Sequence, residues 1–390
     1  MALGRKIRYG MVGGGPGAFI GAVHRKAAAL DGEIELVAGC FSSSPEKSQA
    51  QGRELLLDPS RVYNSYQEMA EKESKLPPGE RIDFVSIVTP NNTHFEIAKT
   101  FIEAGFHVVC DKPMTTTIEE AEELVRLVQK HDVVFALTHN YTGYPMVKQA
   151  RELVRSGHLG EIRKIVVEYP QGWLAKLVEG ESKQASWRTD PKQAGVSSCI
   201  GDIGSHAENL AHYITGLEMT EICADLTTFV SGRQLDDDGN ILVRYENGAR
   251  GILYASQISV GEENNLRIRV YGTEASLEWH QEYPTDLWVR YNDQPARLYR
   301  MGNPYNSDIA KHFTRLPAGH PEAFIEAFAN IYRSAARTMA AKIAGTEPHP
   351  FDTDFPTVID GARGVHFIHK AVESARSNAK WLDVRYTPPA

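Results

Sequence analysis

The sequence predicts an α/β protein of two domains: a doubly wound parallel sheet over residues 1–140, then an α+β domain with a large open, mostly antiparallel sheet over residues 141–390. Three observations lead there. Short apolar runs alternate with helix-patterned stretches as far as about residue 140. A glycine cluster closes the first of those runs. Beyond residue 140 the runs lengthen and become rich in Val, Ile and Tyr. Strands separated by helices need crossover connections, hence a parallel sheet covered on both faces.

In chain order, residues 6–12, 34–40, 84–88, 107–110 and 133–137 read as strands, and residues 18–30, 44–56, 95–104 and 118–131 as the helices between them. The last of these is the plainest, with Ala121, Leu124, Val125 and Val128 at helical spacing. Residues 146–156 form a helix that stops at Gly157. Strands follow at 162–169, 221–230, 240–245, 249–257, 266–271 and 275–279, with Asn247-Gly248 as a hairpin turn. Helices return at 202–215 and 320–344.

Composition narrows the function classes. The formal net charge is −8 and no Lys/Arg run occurs, so nucleic acid is not an expected partner. Four widely spaced cysteines, with no CxxC, indicate neither a disulfide framework nor a zinc knuckle. Of His94, His107, His139, His206 and His212, only His206 and His212, six apart, approach a ligand spacing, so no metal is expected. The opening segment is not a signal peptide and no apolar stretch is long enough to span a bilayer; a soluble, cytoplasmic protein is expected.

The first strand runs into Val12-Gly13-Gly14-Gly15-Pro16-Gly17-Ala18-Phe19-Ile20-Gly21. A tight turn that brings backbone against a pyrophosphate needs residues without Cβ, and the next helix offers its free N–H groups to the phosphates. Gly13 and Gly15 fit the first two places of G-x-G-x-x-G. The third is either Ala18 or, with a longer loop, Gly21. Gly13, Gly15, Gly17, Ala18, Phe19 and Ile20 are therefore candidate dinucleotide contacts. No acid closes the second strand; Ser42, Ser43 and Lys47 suit a ribose or its 2′-phosphate, which leaves NAD and NADP both open.

Two further segments carry a family resemblance: Thr89-Pro90-Asn91-Asn92-Thr93-His94 with Asp111-Lys112-Pro113, and Asp202-Ile203-Gly204-Ser205-His206. With the glycine-rich turn, and in this order, the chain resembles the glucose–fructose oxidoreductase / inositol dehydrogenase / rhizopine catabolism family over essentially its whole length. The resemblance implies a Rossmann domain, NAD(H) or NADP(H), and oxidation or reduction of sugars and polyols. The family's E-K-P stands here as Asp111-Lys112-Pro113 and its D-x-x-x-H as Asp202 and His206. The glycine loop is longer, and extra sequence occupies residues 171–193.

Hydride transfer from a secondary alcohol needs a base for the hydroxyl proton and fixed geometry. Asp202 and His206, four apart, share a helix face; His206 can take the proton, Asp202 orient, and Lys112 stabilise charge on oxygen. Thr89, Pro90, Asn91, His94 and Asp111 are candidate contacts at the nicotinamide end. Tyr141, Tyr144, Trp173, Lys176, Lys183, Trp187 and Arg188 are candidate substrate contacts, the aromatics stacking on a sugar ring and the cations holding an anionic group. Two functions stay open: a net sugar or polyol dehydrogenase, and a glycoside hydrolase that oxidises, eliminates and re-reduces, acting on an anionic sugar such as a sulfoquinovoside. A non-enzymatic sensor would have lost Lys112 or His206. Assembly of copies through the open sheet is expected.

Overall fold

The computed structural model describes residues 2–389. Its first part runs β1 (Ile7–Gly13), α1 (Phe19–Ala29), β2 (Ile34–Cys40), α2 (Pro45–Glu54), α3 (Tyr66–Ser74), β3 (Phe84–Val88), α4 (His94–Glu103), β4 (His107–Cys110), α5 (Ile118–His131), β5 (Phe135–Leu137) and α6 (Pro145–Arg155). It continues with β6 (Ile162–Pro170), α7 (Lys183–Arg188), α8 (Pro191–Ala194), α9 (Ser205–Thr215), β7 (Met219–Thr227), β8 (Asp238–Tyr245), β9 (Arg250–Ser256), β10 (Arg267–Gly272), β11 (Ser276–His280), β12 (Asp286–Arg290) and β13 (Arg297–Arg300). The last elements are α10 (Asp308–His312), α11 (Phe324–Ala344), α12 (Val358–Arg376) and β14 (Trp381–Asp383).

The first five strands pair in parallel in the order β2-β1-β3-β4-β5. From β1 the chain moves one way to β2, then crosses back for β3, β4 and β5. Right-handed crossovers therefore send α1 to one face and α3, α4 and α5 to the other. The α1 face would be half bare. It is completed by α11, whose Phe328, Tyr332, Ala336 and Met339 pack with Val23 and Ala27 over Tyr9, Met11 and Phe84. On the other face α12 lies beside α5 through Val358, Ala362 and Val365.

The second sheet has nine strands in the order β13-β12-β11-β10-β6-β9-β8-β7-β14, antiparallel throughout except β6 with β9. One face buries Ile165, Val167, Ile241, Val243, Val270 and Leu277 against α6 and α9. The alternate residues leave the other face open, with Leu242, Ile252 and Trp288 in solvent. All four cysteines are free thiols. Among the described residues, no helix is long and apolar enough to cross a membrane.

Several elements differ from expectation. The helix expected from 202 begins at Ser205; before it, Ile200–Gly204 forms one π-helical turn, closed by Ser205 N–H to the Ile200 carbonyl. The strand expected to reach residue 230 ends at Thr227, where the Asp237 carboxylate takes the Phe229 and Val230 N–H groups from the ladder. The helix expected from residue 320 begins at Phe324. Unforeseen were α3, whose buried side is only Met69, Ala70 and Glu73, and α12, whose internal Gly361 and Gly364 disfavour helix.

Candidate active site

A cleft of about 1250 Å³ runs along the C-terminal ends of the parallel strands and faces the second sheet. It lies where β1 and β3 are neighbours but their connections leave in opposite directions, the place where a doubly wound sheet opens a crevice. At one end it is lined by Gly13, Gly15, Ala18, Phe19 and Ile20, then by Ser42, Ser43 and Lys47. Thr89, Pro90, Asn91, Asp111 and Lys112 line its middle, and Tyr141, Trp173, Lys183, Trp187, Arg188, Asp202 and His206 the remainder.

The glycine-rich end fits a dinucleotide. Gly13 has φ +89°, and a Cβ on Gly21 would stand 2.4 Å from the Gly14 Cα. The third glycine place therefore belongs to Gly21, the longer of the two loop readings, and Ala18 becomes the N-cap of α1. That cap has no side-chain acceptor, and the first turn of α1 has no acid, so its N–H groups and positive end remain for an anion. Around the second strand's end, Ser42 Oγ accepts from Ser44 N–H, and Ser44 Oγ caps α2.

Lys112 follows β4 and reaches across the cleft. Its Nζ donates to the Asp202 carbonyl at 2.6 Å and to Asp202 Oδ1 at 2.8 Å. Asp202 Oδ2 accepts from Arg188 Nε at 3.2 Å and Gln257 Nε2 at 2.9 Å. Burial alone would raise this carboxyl, but Lys112 and Arg188 overcome burial and hold it well below the ordinary carboxylate range. The π-helical turn that presents Asp202 is pinned from behind by the Asp236 carboxylate, which accepts from Ser198 N–H, Ile200 N–H and the Ser197 hydroxyl.

His206 stands one turn further on, with its ring edge against Tyr141 at 4.7 Å between centroids. Burial first, and then the Lys112 cation and His139, push it well below its usual range, so it is neutral around pH 7. Its Nδ1 lies 3.3 Å from Nδ1 of His139. Beside it the cleft wall carries uncharged groups. The Tyr141 and Tyr169 hydroxyls bond each other, Tyr169 donates to Asn264 Oδ1 at 2.7 Å, and Gln171 donates to the same oxygen at 2.7 Å.

Four sequence candidates do not line this cleft. His94 is buried, with one ring nitrogen against the Pro113 carbonyl and the other against the Thr89 carbonyl, so it braces the loops instead of reaching a ligand. Tyr144 lies behind Tyr141, stacked on it and packed on Trp279. Lys176 is exposed outside, where its carbonyl accepts from Arg233. Gly17 serves the turn through its φ of +75°. Arg188 lines the cleft as expected of a substrate contact; its Nε donates to Asp202 and its Nη1 to Gln184 Oε1 at 2.7 Å, so part of the guanidinium is committed to the protein.

Sequence reasoning missed Tyr169 and Gln257, and held Gln171 and Gln184 only as members of the Trp-rich segment, not as named contacts. Tyr169 and Gln171 were findable as the end of a strand running into the Trp-rich insertion; Gln257 and His139 carry no local signal. Among the described residues one metal-like trio occurs, His312, His349 and Asp352, outside the cleft. His349 Nδ1 there already accepts from Phe351 N–H, and Asp352 shares its charge with Arg337.

Comparison with known proteins matches residues 7–155 to an oxidoreductase family model described as an NAD-binding Rossmann fold, and residues 147–278 to the GFO/IDH/MocA C-terminal domain. An uncharacterized oxidoreductase of Bacillus subtilis, YfiI, is 34% identical over 98% of each chain. An oxidoreductase from Sinorhizobium meliloti is 46% identical, with TM-score 0.88 over 97% of this chain and 99% of that one. An inositol dehydrogenase homolog from Azotobacter vinelandii, complexed with NAD+, is 35% identical with TM-score 0.93 over 98% of each chain; it is also solved with NADH and myo-inositol.

Proposed function

The chain belongs to the GFO/IDH/MocA family of NAD-binding oxidoreductases, and from that premise we propose that it is a dehydrogenase of a neutral cyclic polyol or sugar. The observation that carries this reading is the neutral wall of Tyr141, Tyr169, Gln171 and Gln184 beside the Lys112–Asp202–His206 cluster. Hydroxyl and amide groups suit a ring of hydroxyls, and Trp173 and Trp187 add apolar faces. The Azotobacter homolog's complex with myo-inositol supports the same substrate class.

A bound nicotinamide supplies the hydride acceptor or donor. The rest is the work of this chain. An ammonium has three N–H groups; Lys112 commits two to Asp202, leaving one for the substrate oxygen. The Lys112 ammonium, beside the position of the substrate oxygen, favours the alkoxide as the proton leaves. His206, neutral and buried, accepts that proton in oxidation and returns it in reduction. We place the adenosine ribose by Ser42, Ser43 and Lys47, with NAD and NADP both admitted because no strand-end acid rejects a 2′-phosphate. Copies assemble through the open sheet face that carries Leu242, Ile252 and Trp288, which sedimentation of the intact protein tests.

The deciding assay offers cyclic polyols, free pyranoses, uronic acids and aryl glycosides, with NAD+ in excess and in trace. NADH formed in step with oxidation of a neutral polyol or sugar is expected. Aglycone release at trace NAD+, with no NADH accumulating, would replace this reading with the redox-assisted glycosidase. With Arg188 partly committed to Asp202 and Lys176 outside the cleft, Lys183 is the lysine of the Trp-rich segment left to meet an anionic glycoside.

A further inference from the structure

We infer that His139, which no motif marked, is the positioning partner of His206: it holds the Nδ1 proton of that ring and so makes Nε2 the atom that exchanges a proton with substrate. The inference rests on the acid–base role of His206 proposed above.

The geometry leaves few alternatives. The two Nδ1 atoms face each other at 3.3 Å, with ring centroids 5.1 Å apart and planes at 82°. Two lone pairs facing at that distance repel, and two N–H groups clash, so one Nδ1 carries a proton and the other accepts it. In the resting site both rings are neutral: burial, then the Lys112 cation, lowers His139 to about 3, and His206 is lowered by the same causes. His139 is also fixed in place. Its N–H donates to the Leu137 carbonyl at 3.0 Å and its carbonyl accepts from the Thr142 hydroxyl at 2.9 Å. It does not line the cleft, whereas His206 does.

With the proton on His206 Nδ1 and donated to His139, His206 Nε2 presents a lone pair. In oxidation the substrate O–H bond breaks and Nε2–H forms, and a bound nicotinamide would take the hydride that leaves the carbon. The His206 imidazolium keeps its Nδ1–H bond to the His139 lone pair, now charge-assisted. Reduction reverses both transfers. The charged and titratable groups around the pair are Lys112 and Asp111 beyond β4, Asp360 on α12, Asp202 on the π-helical turn, and the Tyr141 and Tyr169 hydroxyls.

The test begins with long-range 1H–15N correlation on the wild-type protein labelled at histidine, His206 being assigned by loss of its signals in His206→Ala. His206 Nδ1 should show a protonated-type shift and Nε2 an unprotonated one; the reverse overturns the inference. Turnover of myo-inositol with NAD+ and NADH binding by fluorescence are then compared in variants. His139→Leu should lower kcat by about 10–100-fold, within what acid–base catalysis contributes, with KM and NADH affinity within about twofold. His139→Asn, which can accept at the Nδ1 position, should recover most of that loss. Wild-type kcat in His139→Leu, or equal damage in both variants, overturns the inference while the role of His206 stands. Retained turnover in His206→Ala removes that role and this inference with it.

Discussion

Asp202 gathers most of the site's chemistry into one carboxylate, which accepts from Lys112, Arg188 and Gln257. Asp202→Asn keeps the shape but leaves two cations facing each other with nothing between them, and takes from Lys112 its charged partner. Turnover should fall by about 10²–10³-fold, since the aligned hydrogen bond and the proton transfer are both disturbed. NADH affinity, measured by fluorescence titration, should change little, because the glycine-rich end lies elsewhere in the cleft. A variant with wild-type kcat would take Asp202 out of the mechanism. Lys112, Asp202 and His206 were legible because motifs in register mark them. The partners that tune them, Arg188, Gln257 and His139, lie 14, 55 and 67 residues away along the chain from the atoms they touch. No local pattern encodes such distances.

At the scale of elements, α9 carries both the candidate acid–base residue and an unusual carboxyl. Glu208 is buried two residues after His206, and burial raises its carboxyl to about 8 from an ordinary 4.5. In the unfolded chain it ionises near 4.5, while the native protein holds the proton until about 8. The native state therefore binds the extra proton across that window, and stability falls as pH rises through it. Glu208→Gln removes the penalty. The variant should melt above the wild type near about pH 9 and with it near about pH 4.5, because the linkage acts only above the unfolded value. Equal melting temperatures at both pH values would show that Glu208 ionises freely in the native state. Helical amphipathicity made α5 readable, and β/α alternation the first sheet. By contrast, α12 hid behind its glycines and α3 behind its polarity. The π-helical turn hid because the residues of a π turn differ from those of an α-helix only in what pins them, here Asp236.

At the scale of the whole molecule the two sheets are held by elements that leave one part of the chain and finish the other. Asp354, just before α12, accepts from Arg151 through both oxygens, from fully buried Lys148 at 2.8 Å and from the Tyr213 hydroxyl at 2.8 Å. Two residues on, the Pro356 carbonyl accepts from Leu137 N–H at the end of β5. Asp354→Asn strips the charge that makes a buried lysine tolerable, and should cost about 3–5 kcal/mol. A lowered melting temperature in calorimetry, at pH values where Lys148 is charged, is the expected reading; an unchanged one would mean that the lysine sheds its proton at little cost. The sequence alone determined the parallel sheet, the glycine-rich turn, the open antiparallel sheet and the trio of catalytic candidates, because each follows from local periodicity, backbone sterics or a short motif. Only the tertiary structure decided that α11 covers the bare face of the first sheet, that Arg188 reaches Asp202, and that His139 stands against His206. Those outcomes depend on which surfaces remain uncovered and which charges remain unpaired once the chain has folded, and neither is a property of any one segment.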